Sequence, residues 1–493
     1  VKRILTFMVI VSFIISPNII WATPPGFSGG VNNEYEYEEV VFITGEPIRL
    51  KGEIKVSERE KDNKKSISYT FKLENKDLEA KLDRKINLDI NLDKRDDKGQ
   101  TIAQTSISKY SETLKIGKDK YELEDFQFSK SDVIDNRPAA DFYNGNIKGR
   151  KYYKVNKDQG EVVVDITGAD VGYKNFWGNS ETQILDYIIT STRKESDDSD
   201  ESNSWEGTVK VSVSDSTTKT LKYSDNEVNF SSFNGGHMRI TNQEMVSSYE
   251  YNLPKIKDGK VQKDKREKGT IKLSKKMVPK IERLIIPKFR DLGGHWAQEY
   301  IEKLYSLDVF DENGDFFSPD IPMSRIEFTK AVIRACDIRT SIDDVKPKRR
   351  KRNEPEEKPV FKDLDTKDKD YKYVKSGYEK GIINGQNDLF KPNDSLTRAQ
   401  AITILIRALG FENKAPNPGY YTNFSDDRDI PYWAKDSIYM AREIGLVYGD
   451  KANRINPNKV MSRAEASAML VRFLEFLQRD LQRDYRENIM YFR

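Results

Sequence analysis

Phe361-Lys362-Asp363-Leu364, Gly381-Ile382-Ile383-Asn384-Gly385, Phe390-Lys391-Pro392-Asn393 and Thr397-Arg398-Ala399-Gln400 follow one another between positions 361 and 400. The blocks recur upstream as Phe289-Arg290-Asp291-Leu292, His295-Trp296-Ala297, Phe317-Ser318-Pro319-Asp320 and Ser324-Arg325-Ile326-Glu327. Downstream they read Phe424-Ser425-Asp426, Trp433-Ala434, Gly445-Leu446-Val447-Tyr448-Gly449, Ile455-Asn456-Pro457-Asn458 and Ser462-Arg463-Ala464-Glu465. Pro319, Pro392 and Pro457 each stand five positions before Ser324, Thr397 and Ser462. Spacing this regular marks an internal repeat with one supersecondary unit per copy.

Each copy ends in Ser or Thr followed three residues later by Glu or Gln. That is a capping box, which starts a helix by satisfying its free N–H groups reciprocally. Behind the boxes, Phe328, Ala331, Val332 and Ala335, then Ala401, Ile404, Leu405 and Ala408, then Ala466, Met469, Leu470 and Phe473 recur at i, i+3, i+4, i+7. Three helices with one apolar face each predict a three-helix core, with a second helix from each repeat outside it. Arg325, Arg398 and Arg463 occupy the first helical position, where the dipole disfavours a cation. Three such cases at one structural position point to an external anion held jointly by guanidinium and free N–H groups; the plainer reading pairs each Arg with a neighbouring Asp.

Upstream of the repeats the period changes from 3.6 to 2. Ile48 to Val56, Glu161 to Ile166 and Gly207 to Val213 alternate apolar with polar, rich in β-branched residues. Turn signals at Lys98-Gly99, Asn144-Gly145, Asn234-Gly235-Gly236 and Asp258-Gly259 suit antiparallel hairpins. These features predict sandwich-like all-β structure, with a boundary between Asn136 and Lys157. His237, after Gly235-Gly236, is expected in a solvent-facing turn, and Tyr173, Phe176 and Trp177 in turn packing. Acidic pairs such as Glu124-Asp125 are expected by chance in a chain this rich in carboxylates and nominate no glycosidase site.

Among 493 residues, 83 are Lys or Arg and 80 are Asp or Glu, so the net charge is only +3. No global basic field exists to hold nucleic acid or an anionic membrane. The single cysteine, Cys336, excludes an intrachain disulfide and a Cys-rich zinc site, and its place beside Ala335 makes it a packing residue. Two histidines, His237 and His295, weigh against imidazole-based catalysis and metal binding. No metal or cofactor is expected. At the other end, Lys2 and Arg3 precede an apolar run from Ile4 to Ile15, and Ala22 offers a small residue for cleavage. This is the pattern of a secretory signal, too short to span a membrane, so no membrane span is expected after cleavage.

Taken together, the helical blocks resemble three S-layer homology (SLH) repeats covering Phe289 to about Glu475. The resemblance implies a pseudo-threefold all-α module on an exported, cell-wall protein, binding an anionic, pyruvylated secondary cell wall polysaccharide in grooves between repeats. It gives the acidic group to Arg325, Arg398 and Arg463, close approach to Gly385 and Gly449, and aromatic walls to Trp296 and Trp433. Two departures stand out. Lys369 replaces the tryptophan in the second repeat, and the first has Asp311-Glu312 where the others have a Gly-bearing turn, which would repel an acidic ligand. Its Asp311 to Asp315 run is a turn rather than a calcium loop, since Phe316 stands where an EF-hand needs Gly.

The chain thus divides into a signal at 1–22, a linker at 23–35, β domains at 36–157 and 158–280, and a connector at 281–288. The repeats follow at 289–339, 360–411 and 422–475, with a charged linker at 340–359 and a tail at 476–493. The reading favoured by the sequence is a non-enzymatic exported protein displaying its β region from the wall. A glycan-binding module or a carboxylate-based, glycan-active enzyme in that region stays open, as does self-association into a surface layer.

Overall fold

The computed structural model describes residues 27–480, apart from 62, 195–201, 225–235, 258–259, 285, 287, 312–313, 337–357 and 417–420. The signal at 1–22 and most of the charged linker at 340–359 lie outside the described residues. Among the described residues, fourteen strands form one antiparallel sheet. They are β1 (Val31–Asn32), β2 (Tyr37–Val41), β3 (Ile48–Lys61), β4 (Lys64–Asn75), β5 (Ala80–Arg95), β6 (Gln100–Ile116) and β7 (Asp119–Asn136). Then come β8 (Asp141–Val155), β9 (Gly160–Lys174), β10 (Gly178–Lys194), β11 (Ser202–Ser224), β12 (Gly236–Lys257), β13 (Lys260–Lys276) and β14 (Lys280–Arg283). Every strand from β1 to β13 pairs with its sequence neighbour, and β14 pairs with β12 beyond the end of β13.

The sheet curls into a half-barrel because each strand is apolar on one face only, and those faces meet in a single core drawn from β2 through β13. No domain boundary falls at 157/158. Asn156 and Lys157 both adopt positive φ in a tight turn, and β8 and β9 pair continuously from Val155↔Gly160 to Asp141↔Lys174. The expected linker at 23–35 is likewise structural from Phe27 onward. Phe27 is buried in the curl, edge-on to Tyr69, Phe71, Phe126 and Phe128. Its carbonyl accepts the Tyr187 hydroxyl at 3.0 Å, and that of Gly29 accepts the Tyr249 hydroxyl at 2.6 Å. Gly30 permits this entry, since a Cβ there would collide with the Tyr37 ring. His237 is not in a solvent-facing turn: it opens β12, buried, with its ring 5.4 Å from Tyr223, and burial lowers its pKa.

Among the described residues six α-helices follow: α1 (Gln298–Ser306), α2 (Arg325–Cys336), α3 (Tyr371–Glu379), α4 (Arg398–Leu409), α5 (Tyr432–Glu443) and α6 (Arg463–Glu475). As the repeats predict, α2 packs on α4 and α6 in the middle. The outer helices are exchanged, so that α1 packs on α6, α3 on α2 and α5 on α4. Each repeat therefore covers the inner helix of another. Cys336 is buried in this core.

The two parts share one apolar cluster, in which Ala139, Ala140, Phe142, Tyr173, Phe176 and Trp177 meet the helical core. The Ala139 N–H donates to the Ala408 carbonyl at 3.0 Å. Asn175 Nδ2 donates to the carbonyl of Leu477, and Gln478 Nε2 to that of Lys219, both at 2.9 Å. The start of the expected tail at 476–493 is thus a docked turn, with Phe476 and Leu477 buried. Positions 481–493 lie outside the described residues. The connector at 281–288 begins inside β14, whose last residue is Arg283.

Candidate functional site

All three capping boxes form. Thr397 Oγ1 accepts from the Gln400 N–H while Gln400 Oε1 accepts from the Thr397 N–H, and Ser462 with Glu465 does the same. Ser324 and Glu327 close the third. Each helix start is also tied to another repeat. The Arg325 and Ile326 N–H groups donate to the carbonyls of Asp394 and Pro392, those of Arg398 and Ala399 to Lys459 and Pro457, and those of Arg463 and Ala464 to Ile321 and Pro319. The first repeat's helix thus sits on the second repeat's loop, the second on the third, and the third on the first.

This exchange regroups the residues singled out by sequence. Arg325 belongs with the glycine turn of the second repeat. A groove of about 450 Å³ is lined by Arg325, Asn384, Gly385, Gln400, Arg407 and Trp433, drawn from all three repeats. Arg398 faces the Gly449-bearing third repeat, whose inner helix α6 is covered by α1, the helix that starts just after Trp296. Arg463 faces the first repeat, the copy without a glycine turn. Trp433 and Trp296 are half exposed, at 51% and 58%, as groove walls should be.

The three guanidinium groups differ. Arg325 Nε donates to the Phe390 carbonyl at 2.9 Å, and its charge lies 5.1 Å from the Phe390 ring. Burial pulls the pKa of Arg325 and Arg398 down from the ordinary arginine value. Among the described residues neither has a carboxylate in ion-pair range, and Arg398 Nε is buried without a hydrogen-bond partner. Arg463 is buried at 8%, stacks 4.3 Å from the Phe317 ring, and pairs with Glu327 at 3.4 Å. The plainer reading, an Arg satisfied by a neighbouring carboxylate, holds for Arg463 alone.

Two details differ from expectation. Asp311 does not stand as a free negative charge, for Lys330 and Arg334 pair with it at 2.8 and 2.9 Å; Glu312 is outside the described residues. Gly385 and Gly449 are demanded by the turns themselves. A Cβ on Gly385 would lie 2.4 Å from the Phe361 ring, and one on Gly449 2.7 Å from Asn453 Oδ1.

The Asp of each Phe-x-Asp block has a role that local sequence does not announce. Asp291 accepts from the Phe317 and Ser318 N–H groups, Asp363 from Phe390 and Lys391, and Asp426 from Ile455 and Asn456. Partial burial opposes ionisation of Asp291 and Asp363, but the paired N–H donors outweigh it and lower both pKa values. Each clamp fixes the loop that carries Phe317, Phe390 or Ile455, and the first two rings are the ones an arginine covers. The threefold recurrence of Asp in that block was the available signal.

The β region holds two buried charge clusters. Arg84 bridges Glu39 and Glu112, both at 2.8–2.9 Å, while Lys151 and the Tyr153 hydroxyl also reach Glu112. Burial raises the pKa of Glu112, but Arg84 and Lys151 outweigh it and bring it down to about 2. The cavity beside this cluster is only about 50 Å³. Nearer the helices, Lys130 contacts Asp170 at 2.6 Å, Asp132 at 3.3 Å and Glu181 at 3.7 Å. Asp132 and Asp170 face each other over Gly145, where a Cβ would lie 1.9 and 2.7 Å from their oxygens. Burial raises the pKa of Asp132, and Asp170 adds to the effect.

Residues 288–329, 360–402 and 423–467 match the family described as S-layer homology domain. Across 190 residues, 38% of this chain, the sequence is 30% identical to an exoglucanase, XynX, of Acetivibrio thermocellus, covering 16% of that protein. It is 27% identical over 205 residues to a surface-layer 125 kDa protein of Lysinibacillus sphaericus, 40% of this chain and 16% of the relative. A cellulosome-anchoring protein of Acetivibrio thermocellus is 33% identical over 89 residues, 18% of this chain and 20% of the relative. The chain therefore spans a fifth or less of these relatives' length. The glucanase likeness lies in the helical repeats and not in the sheet. The last part of the chain is a triplet of S-layer homology domains, and the protein is a surface protein that these domains anchor to the cell wall.

Proposed function

We propose that the triplet binds an anionic, pyruvylated wall polysaccharide through Arg325 and Arg398, and that the sheet is displayed outward without catalytic activity of its own. One observation carries this reading. Arg325 and Arg398 are half-buried at capped helix starts, with no carboxylate in range among the described residues, and Arg325 lies in a groove of about 450 Å³ beside Trp433. A desolvated guanidinium with no carboxylate partner favours an anionic ligand over water, and the half-exposed indole offers a face for sugar stacking. The non-catalytic reading of the sheet rests on its buried carboxylates. Glu39 and Glu112 are held by Arg84, and Asp170 by Lys130, which makes them parts of the core. Co-sedimentation of the full chain with purified cell walls, before and after chemical removal of ketal-linked pyruvate, tests the ligand. Binding that survives the removal unchanged would exclude the pyruvyl group.

A further inference from the structure

Where the core face of the sheet runs out toward the helices, its side chains change character. Along β11, Val209, Val211 and Val213 give way to Asp215, Thr217 and Lys219; along β12, Tyr249 and Met245 give way to Gln243, Thr241 and Arg239. A cavity of about 520 Å³ opens there, walled also by Lys174 and Phe176 from the β9–β10 connection and by Lys280 and Glu282 of β14. Lys219 Nζ lies 4.1 Å from the centre of the Phe176 ring, and the Arg239 guanidinium 5.1 Å from the same ring.

The charges here are out of balance. Glu282 is shared, at 2.6 Å from Arg239 and 3.2 Å from Lys280. Lys219 has no ion-pair partner among the described residues, although it is half-buried beside three other cations. Its backbone is fixed on both sides, for its N–H donates to the Trp177 carbonyl at 2.7 Å and its carbonyl accepts from Gln478. We propose that this cavity is a binding site for a small anion bearing a carboxylate or phosphate group, seated between Lys219 and Arg239 over the Phe176 ring. The pinned backbone and the Phe176 ring under the ammonium restrict this lysine before the ligand arrives, which lowers the ordering cost of binding. Burial first, then Arg239, Lys280 and Lys174, pull the Lys219 pKa down to about 8 despite Glu282. A bound anion would reverse that pull.

Trace acetylation of the full chain at pH 7.5, read lysine by lysine by mass spectrometry, tests the site with inorganic phosphate and with glucuronate in separate arms and chloride at matched ionic strength as control. Lys219 should react fast in chloride. A bound anion that raises its pKa by about one unit should slow it about tenfold, saturably, while exposed Lys222 is unchanged. The arm that protects at lower concentration names the acid. Lys219→Gln should abolish the binding heat measured by calorimetry. Phe176→Leu, which keeps the lysine, should weaken binding severalfold and serves if the first variant does not fold. Protection no greater than in chloride, or equal protection of Lys222, would overturn the proposal.

Discussion

The guanidinium of Arg463 lies 4.3 Å from the ring of Phe317, so the last repeat of the helical module is seated on the first. Phe317 is itself held by Asp291, which accepts its N–H at 2.9 Å. Through this contact an arginine that sequence alone assigns to ligand binding becomes part of the closure between repeats.

Binding loss and stability loss should therefore separate among the three arginines. Arg325→Ala and Arg398→Ala should weaken binding to wall fragments by about tenfold or more, from the roughly 1.5–3 kcal/mol of a charge-assisted contact. Arg463→Ala should change affinity less and lower the melting temperature more, since it opens a buried stack and takes a cation from Glu327. Titration calorimetry and thermal melts on the same preparations check both halves.

The capping boxes predict the complementary pattern. Thr397→Ala and Ser462→Ala each remove an acceptor from the third N–H of an inner helix, at a cost of about 1 kcal/mol. Urea titration should show that loss with unchanged wall affinity for Ser462→Ala. Thr397→Gly should cost only a few tenths, which distinguishes a cap from a packing contact.

Inside the sheet, Arg84 holds two carboxylates that are almost fully buried. Its replacement by alanine leaves Glu39 without a cation among the described residues and Glu112 with Lys151 in place of two cations, and breaking a buried pair from one side costs roughly 3–5 kcal/mol. Arg84→Ala should thus unfold at markedly lower urea. The double variant Glu39→Gln in the Arg84→Ala background should recover part of the loss, a non-additivity that a double-mutant cycle reads directly.

Stability should pass through a maximum in mildly acidic solution. Burial raises the Asp215 pKa to about 6, aided by Glu181 and opposed by Gln243. Its folded-state contribution is fully present below the ordinary carboxylate range and is lost as pH rises through about 6. Glu112, lowered to about 2, works in the other direction and loses its contribution as pH falls from about 4 toward 2. The melting temperature should be higher at pH 5 than at pH 8, and Asp215→Asn should flatten the decline between them. A decline of equal size in that variant would show that Asp215 is not its source.

Sheet and helices should melt together. The shared cluster around Ala139, Phe142 and Trp177 and the hydrogen bond from Ala139 to Ala408 join them into one unit. Calorimetry of the wild-type chain should give a single transition, and Ala139→Arg, which forces a charge into the contact, should split it into two.

The helical half was largely legible in sequence because its signals are local: a capping box needs four residues, an amphipathic face about ten. Which repeat each Arg serves was not legible. The pairing of Arg325 with the turn at Gly385 depends on the exchange of outer helices, which leaves no mark within one repeat. In the sheet, alternation gave the strands; of the expected turns, Lys98-Gly99 joins β5 to β6, Asn144-Gly145 instead lies inside β8, where Gly145 makes room for Asp132 and Asp170, and Asn234-Gly235 and Asp258-Gly259 lie outside the described residues. The continuous sheet was hidden because Asn156-Lys157, a tight left-handed turn, reads like a linker. The docking of Phe27 was hidden as well, since its partners Tyr69, Phe126 and Tyr187 are scattered over three strands. His237 misled because two glycines precede it, yet the strand starts at the second of them.

The place where the sheet grips the helices decides how a pull is carried. Residues Arg137 to Ala140 hold the C-terminal end of α4, through Ala408 and the Gly410 carbonyl, although the covalent link from the sheet enters the module at its first repeat. Tension applied to the outer end of the sheet therefore also reaches the second repeat through noncovalent contacts, and the turn after α6 through Asn175 and Lys219. Under shear at the cell surface the load on the anchor is therefore divided among its repeats instead of entering at the covalent link alone.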